Sequence, residues 1–348
     1  MALPDILHHQ RESFPADIAS NFLAGVGRDD IEQAHRRLSD EVIRTPLFPY
    51  MGESTDNSTY LKAENLQPNG SFKIRCSLNA ILSLSAAELS KGVYTASTGN
   101  FALGVTRAAR ARAADVRVYV TETAAKSKLD MLRNMGAEII CVSTDRWWAI
   151  LCGDTPPGEN GTFVHPCSGR DVIVGDATIG QEIIEDLPDV DAILVPFGGG
   201  GLSMGISLAC TLWRSKAKIY ACETVAATPC YSALAAGRPV EVPVTTTPLV
   251  TSIGVSTVLE SNWPLLKATL DGVVVSSLEA IVHAVYQLAK HNHFVVEGAG
   301  ASSLAAAHHP FFAGQRVVAV LSGGTIDTET LVSVLVSGGL PPASASHH

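Results

Sequence analysis

The chain has no C-x-x-C pair, no run of basic residues, few aromatics and no basic N-terminal stretch leading into an apolar one. Each absence closes off a class of function. A nucleic-acid groove needs clustered Lys and Arg to displace counterions, whereas 25 Lys and Arg are here outnumbered by 34 Asp and Glu, for a formal net charge of -9. Seven cysteines, Cys76, Cys141, Cys152, Cys167, Cys210, Cys222 and Cys230, are scattered and odd in number. That argues against a zinc ribbon or a disulfide framework and for buried free thiols in a reducing compartment. With no secretory pattern, a cytoplasmic protein is expected. Residues 192–213 carry no charge but include Pro196 and four consecutive glycines, and the backbone groups they free would go unsatisfied in lipid. This span reads as strand, glycine loop and buried helix, and no membrane partner is expected.

What is present is ample apolar material: 348 residues, 46% hydrophobic and 17% charged, enough for about two domains of ~150 residues each. Residues up to about Asn21 show little periodicity and are expected to form a loosely attached arm. Beyond them, short β-like runs at 58–63, 116–120, 138–142, 192–196, 218–222, 272–275 and 316–321 alternate with helical patterns at 72–84, 101–111, 125–135, 180–185, 202–213, 278–290 and 299–307. That rhythm predicts an α/β protein with mainly parallel sheets, and the continuous apolar runs suit strands covered by helices on both faces. Residues 154–161, DTPPGENG, are the clearest loop and a candidate return between domains.

Three segments carry chemistry. In residues 64–75, ENLQPNGSFKIR, a Pro-Asn-Gly turn delivers Ser71, Phe72 and Lys73 to a helix start, where unpaired N–H groups and the positive dipole end gather. A lysine between apolar neighbours there is a candidate nucleophile, although spacing alone favours a solvated one. In residues 95–104, TASTGNFALG, hydroxyls and N–H groups pass from strand to helix around a spot suited to a carboxylate, with Ser97, Thr98 and Asn100 beside it. An ordinary N-cap is the plainer alternative. In residues 195–205, VPFGGGGLSMG, four glycines let the backbone approach an anion, and phosphate is the favoured ligand. No Gly-Lys-Ser/Thr follows, so this is not a Walker loop. A nicotinamide-dinucleotide unit is the rival, with Glu223 as the ribose-binding acid, but Ser203 or Met204 stands where its register wants Gly or Ala.

Taken in order, the SFK lysine, the S-x-G-N loop, the tetraglycine loop and the SGG of residues 321–327, LSGGTID, resemble the fold-type II pyridoxal-phosphate (PLP) enzymes. Among these the threonine/serine dehydratase and serine racemase group is most similar, from about Ile31 to Val336. The resemblance implies two open, mainly parallel twisted sheets flanked by helices, as in tryptophan synthase β. Residues 1–85 and 159–348 would form a large PLP-binding domain, with 86–158 as a small substrate-side domain inserted in it. It further implies that Lys73 holds the cofactor aldehyde as a Schiff base and later takes the α-proton, and that Phe72 packs beside the ring. Asn100 would bond the ring hydroxyl, Ser322 would face the pyridine nitrogen, and Glu297, in VVEGAGA, would stand near the ring. Gly198, Gly199, Gly200, Gly201 and Leu202 would cradle the phosphate. Ser97, Thr98, Asn100 and Phe101 fall where the family holds substrate. The implied reaction converts a β-hydroxy-α-amino acid, like threonine or serine or bulkier, to a 2-oxo acid and ammonia; racemisation on the same scaffold is the alternative. A homodimer is implied.

Departures sharpen the expectation. Thr98 stands where racemases carry a serine base, Phe101 replaces a usual histidine, and Asn69 a usual Thr or Ser. A divalent-cation site in some relatives is matched by Glu223 and Ala227, but Pro229 occupies its aspartate position and offers no carboxylate. Such a metal is therefore doubtful, and Glu223 reads better as a surface or capping acid. No regulatory domain is expected after the SGG segment. Trp147 and Trp148 are adjacent and read as core, or else as the lining of an aromatic-tolerant pocket; Arg146 beside them is a candidate for a substrate carboxylate.

Overall fold

In a computed structural model the described residues are 5–11, 23–53, 56–97, 99–122, 124 and 126–337. Apolar and β-branched runs bounded by glycine, proline or acidic turns form most of the strands. The first half of the chain contains β1 (Asp5–His8), α1 (Arg28–Leu38), β2 (Leu47–Pro49), β3 (Ser58–Lys62), α2 (Lys73–Ser83), α3 (Ala86–Ser90), β4 (Val93–Ala96), α4 (Asn100–Ala111), β5 (Val116–Thr121), α5 (Lys126–Asn134), β6 (Glu138–Val142), α6 (Thr144–Leu151) and β7 (Thr162–Phe163). The second contains α7 (Arg170–Asp186), β8 (Ala192–Pro196), α8 (Gly201–Leu212), β9 (Lys218–Thr224), α9 (Pro229–Ala236), α10 (Trp263–Thr269), β10 (Gly272–Ser276), α11 (Leu278–Gln287), α12 (Gly298–Ala307), β11 (Arg316–Val320) and α13 (Thr328–Ser337).

Two sheets result. Seven strands run in the order β1-β10-β9-β8-β11-β3-β2, with the edge strands β1 and β2 antiparallel to their neighbours; four parallel strands run β6-β5-β4-β7. Alternate side chains of β8 enter opposite layers of core, Ile193 and Val195 on one face, Ala192 and Leu194 on the other, as the pleat requires. From β8 the chain proceeds through α8 to β9 and β10 on one side, while β11 lies on the other. Open α/β sheets bind ligands outside the carboxyl ends of strands where the order reverses in this way. Lys73 follows β3, the tetraglycine loop follows β8 and Ser322 follows β11, three adjacent parallel strands. The Ser97 loop follows β4 in the smaller sheet, and α2 packs against α7 on one side and α4 on the other. The helix that begins at Lys73 thus connects the layers of both sheets.

Several elements differ from expectation. The N-terminal arm is anchored in part: β1 pairs with β10, and Arg11 forms an ion pair with the buried Asp271. Four residues are too short to show a period. The helix expected at 180–185 is α7, 17 residues long and buried at every position from Val172 to Ile184. A helix buried all round shows no polar stripe, so periodicity could not find its start. α11 ends at Gln287 and widens into a π turn at Leu288–Asn292, closed by His293 in the left-handed region at φ 59°. The loop 154–161 lies between α6 and β7, so the smaller sheet extends to Phe163, past residue 158. No helix among the described residues is long and apolar enough to cross a membrane.

Two residues after Lys73, Arg75 is buried in a closed ion cluster. Its guanidinium donates to both oxygens of Glu64 (2.9 and 2.8 Å) and of Glu182 (2.7 and 2.8 Å), and to Thr178 Oγ1 at 3.2 Å. Lys62 Nζ donates to Glu182 and to the Thr45 carbonyl, each at 2.6 Å. Two cations meet two carboxylates with none of the four more than 1% exposed. Burial would raise the Glu182 carboxyl, but the charges of Arg75 and Lys62 outweigh it and hold the group below its ordinary value. Removing one member strands a buried charge, at a cost of about 3–5 kcal/mol. Arg75→Met is expected to lower the melting temperature sharply, and unchanged thermal unfolding would refute this account of α2.

Candidate active site

The turn before α2 is fastened to the segment after β11. Phe72 N–H donates to Ser322 O at 3.0 Å, Gly324 N–H to Gly70 O at 2.8 Å, and Ser71 bridges to Gly323. Gly70 takes the left-handed region, φ +70°, that a Pro-Asn-Gly turn calls for. Lys73, half-buried, sends Nζ to the Pro166 carbonyl at 2.7 Å, with the Phe72 ring 4.8 Å and the Phe101 ring 5.5 Å from it. The expected solvated lysine is thus replaced by one enclosed by two aromatic faces and a carbonyl.

A cavity of about 340 Å³ opens here. Its walls bring together Phe72, Lys73, Ser97, Asn100, Phe101, Gly198, Gly199, Gly200, Gly201, Leu202, Glu297 and Ser322. Thr98 lies outside the described residues. Gly99 is the N-cap of α4, and Asn100 at its first turn donates to Thr325 Oγ1 at 2.8 Å, joining the small sheet to the segment after Ser322. The loop after β8 is shaped for close approach. A Cβ at Gly199 would lie 2.2 Å from Cys167 Sγ, and Gly200 has φ +84°. Asn262 Nδ2 holds the loop by donating to Gly199 O at 3.0 Å and Cys167 O at 3.2 Å. Met204 N–H bonds back to Gly200 O, so the N–H groups at the start of α8 ahead of it are left for an anion. Glu297, 8% exposed, stands at the N-cap position of α12 and accepts from Ser252 Oγ at 3.2 Å.

Three expected residues fall elsewhere. Glu223 is 1% exposed, and its oxygens accept the N–H groups of Cys230 (2.7 Å) and Tyr231 (3.0 Å), so it caps α9, which begins at Pro229. Burial pushes its carboxyl up to about 8 against those bonds. A buried capping acid cannot reach a ribose, and the dinucleotide reading falls with it. Ala227 turns back onto Thr224, and among the described residues no group of three or more His, Cys, Asp or Glu is arranged for a metal. Arg146 points away from the cavity, bonding Asp154 and the Thr155 carbonyl at 3.3 and 3.1 Å.

Other residues of the site were not legible. His165 accepts the Cys167 N–H at Nδ1 (3.1 Å), which leaves Nε2 to donate to Leu151 O at 3.0 Å. Burial lowers this imidazole to about 4, so it is neutral. Residues 251–257 supply Thr251, Ser252 and Thr257 to the cavity wall; their hydroxyl-rich sequence was the available signal. Asp176, on α7, is fully buried behind the glycine loop, with Oδ2 3.4 Å from a Cβ built on Gly201. Burial pushes its carboxyl up to about 7, with the charge of Lys73 opposing.

A model of the family described as "Pyridoxal-phosphate dependent enzyme" matches residues 38–323. The chain belongs to that family. An L-threonine ammonia-lyase of Geobacter sulfurreducens is 38% identical to this PLP enzyme over 318 residues, which cover 90% of this chain and 79% of that one. A serine racemase of Dictyostelium discoideum is 30% identical over 90% of this chain and 99% of its own. The processed form of threonine deaminase isoform 2 from Solanum lycopersicum superposes with a TM-score of 0.83 at 25% identity, covering 98% of this chain and 99% of that structure.

The residues fit the cofactor. The glycine cradle has no room for a side chain at Gly199 and presents free helix-start N–H groups to a phosphate, and the primary amine projects into the same cavity. Gly199→Ala forces the Cys167 contact, and overpacking costs about 1–3 kcal/mol, so PLP is expected to bind roughly ten- to a hundredfold more weakly by titration. Adding Cys167→Ala removes the 2.2 Å contact but leaves one of 2.8 Å, so it should restore binding only in part. Asp176 gives a pH signature. Its folded-state value, about 7, lies above the ordinary 3.8, so the fold binds the proton more tightly than the unfolded chain, and stability falls as pH rises through that window. Asp176→Asn should flatten this fall, and a melting temperature that drops as steeply as the parent's from pH 4 to pH 7 would refute the assignment.

Proposed function

We propose that this enzyme is a PLP-dependent dehydratase (ammonia-lyase) that turns a β-hydroxy-α-amino acid into a 2-oxo acid and ammonia. The observation that carries the reading is the convergence of Lys73, the tetraglycine loop, Asn100 and Ser322 on one cavity at the carboxyl ends of three adjacent strands. Bound in the cavity, PLP supplies an electron sink for a carbanion at the substrate α-carbon.

The chain's residues supply the rest. Lys73 would hold the cofactor aldehyde, and its amine would take the α-proton, with the Phe72 and Phe101 rings beside it. The N–H groups of residues 198–202 would receive the phosphate, Asn100 the ring hydroxyl and Ser322 the pyridine nitrogen, with Glu297 lining the same cavity. A neutral hydroxyl at that nitrogen does not favour a protonated ring, which suits prompt loss of a β-hydroxyl over a long-lived carbanion. Ser97, Thr98 and Asn100 take the substrate carboxylate at the start of α4, and Phe101 faces the substrate. Two domains, 1–85 with 159–348 and the inserted 86–158, to whose sheet the chain adds β7 on its return, a homodimer and a cytoplasmic setting belong to this proposal. All seven cysteines are free, which suits a reducing compartment.

Incubation with L-threonine, L-serine and bulkier β-hydroxy amino acids should release 2-oxo acid; accumulation of the D-enantiomer alone would make the enzyme a racemase. Lys73→Ala is expected to cut turnover by roughly 10²–10⁴-fold, and borohydride should fix the cofactor to the peptide bearing Lys73. A label on another peptide would end the reading.

A further inference from the structure

The cavity has one wall that cofactor binding does not use. α6 presents Trp147, Trp148 and Leu151 to it, positions that share a helix face at i, i+1 and i+4. The helix is fixed from behind: Ile150 and Leu151 are buried with Tyr94, Ala96 and Tyr119 of the small sheet, and Ser143 caps its start by accepting the Arg146 N–H. The indoles are therefore a rigid surface. Phe101, 2% exposed, adds a third ring to the lining.

Charge narrows the occupant. Among the described residues the ionisable side chains lining the cavity, beyond the thiol of Cys167, are Lys73 and Glu297, both committed to the cofactor end under the proposed function. The cation of α6, Arg146, is turned outward to Asp154. A carboxylate on the substrate's side chain would be desolvated there without a partner, which is costly. A methyl group or a hydrogen would leave the indole faces uncovered.

We propose that the α6 face and Phe101 form the pocket for the substrate's β-substituent, and that this substituent is an uncharged aromatic ring. A β-aryl-β-hydroxy-α-amino acid such as β-phenylserine is then the preferred substrate class. Its ring stacks on the indoles. The inference rests on the dehydratase reading. In the reaction the Cα–H bond breaks with its proton going to the Lys73 amine, and the Cβ–O bond breaks with the hydroxyl leaving as water, so that the net transfer is of that one proton from Cα to the departing oxygen. The released enamine takes up one water and yields the aryl 2-oxo acid and ammonia, with no oxidant or reductant required.

The test measures kcat/KM for 2-oxo acid release from β-phenylserine, threonine, serine and β-hydroxyaspartate with the PLP-loaded enzyme. Differences in fit to an apolar pocket are worth roughly 10–200-fold, so β-phenylserine should exceed threonine by at least tenfold, with β-hydroxyaspartate the poorest. Trp148→Ala should reduce the phenylserine-to-threonine ratio by tenfold or more. Trp147→Ala removes the second indole of the same wall and should lower that ratio in the same direction. These ratios are taken within one preparation, so a loss of folded enzyme does not move them. Release of 2-oxo acid with threonine, serine or β-hydroxyaspartate preferred over phenylserine overturns the pocket assignment but leaves the dehydratase reading standing. An unchanged ratio in Trp148→Ala overturns it as well. No 2-oxo acid from any of the four, from protein that borohydride labels at Lys73, overturns both.

Discussion

A guanidinium buried between two carboxylates is tolerable only if every one of its donors is used, and Arg75 meets that condition by spanning Glu64 and Glu182 with Thr178 and the Ile43 carbonyl. Glu64 lies in the turn leading to Lys73, and Glu182 on α7, so the cluster fixes the start of α2 against both. Such clusters contribute little net stability compared with apolar packing but fix geometry strongly. The amine two residues away inherits that rigidity, as does the turn paired to the Ser322 segment. Placement of a nucleophile to a fraction of an ångström is what covalent catalysis demands, and here it derives from a polar cluster on the far side of the helix.

The parts legible in the sequence are those whose physics is local. A run of glycines between a strand and a helix reads as an anion cradle; a Cβ at Gly199 would meet Cys167 Sγ at 2.2 Å, and Gly200 has φ +84°. Lys73 was legible through the turn before it and through its order relative to the later motifs. β8 and β6 fall at the expected bounds because their apolar runs are sharply bordered. α7 was mostly hidden, since a helix packed against α1, α2 and α8 displays no polar stripe. His165, Asp176 and residues 251–257 were hidden for another reason: they reach the site only through tertiary packing.

Glu223 illustrates how one local pattern admits two readings. An acid after the strand beyond a glycine loop suits a ribose, a cation or a helix start. The proline at position 229, which offers no oxygen side chain, opens a helix whose free N–H groups the carboxylate then satisfies. Its burial makes the cap permanent and removes it from chemistry.

The neutral imidazole of His165 has a mechanical consequence. It ties the last turn of α6, through the Leu151 carbonyl, to the Cys167 amide, and the Cys167 sulfur rests against Gly199. Pro166, between them, supplies the carbonyl that receives the lysine. The indole wall, the amine's acceptor and the phosphate cradle are therefore links of a single strap. Three consecutive residues, 165–167, thus hold the two ends of the cavity in register with each other.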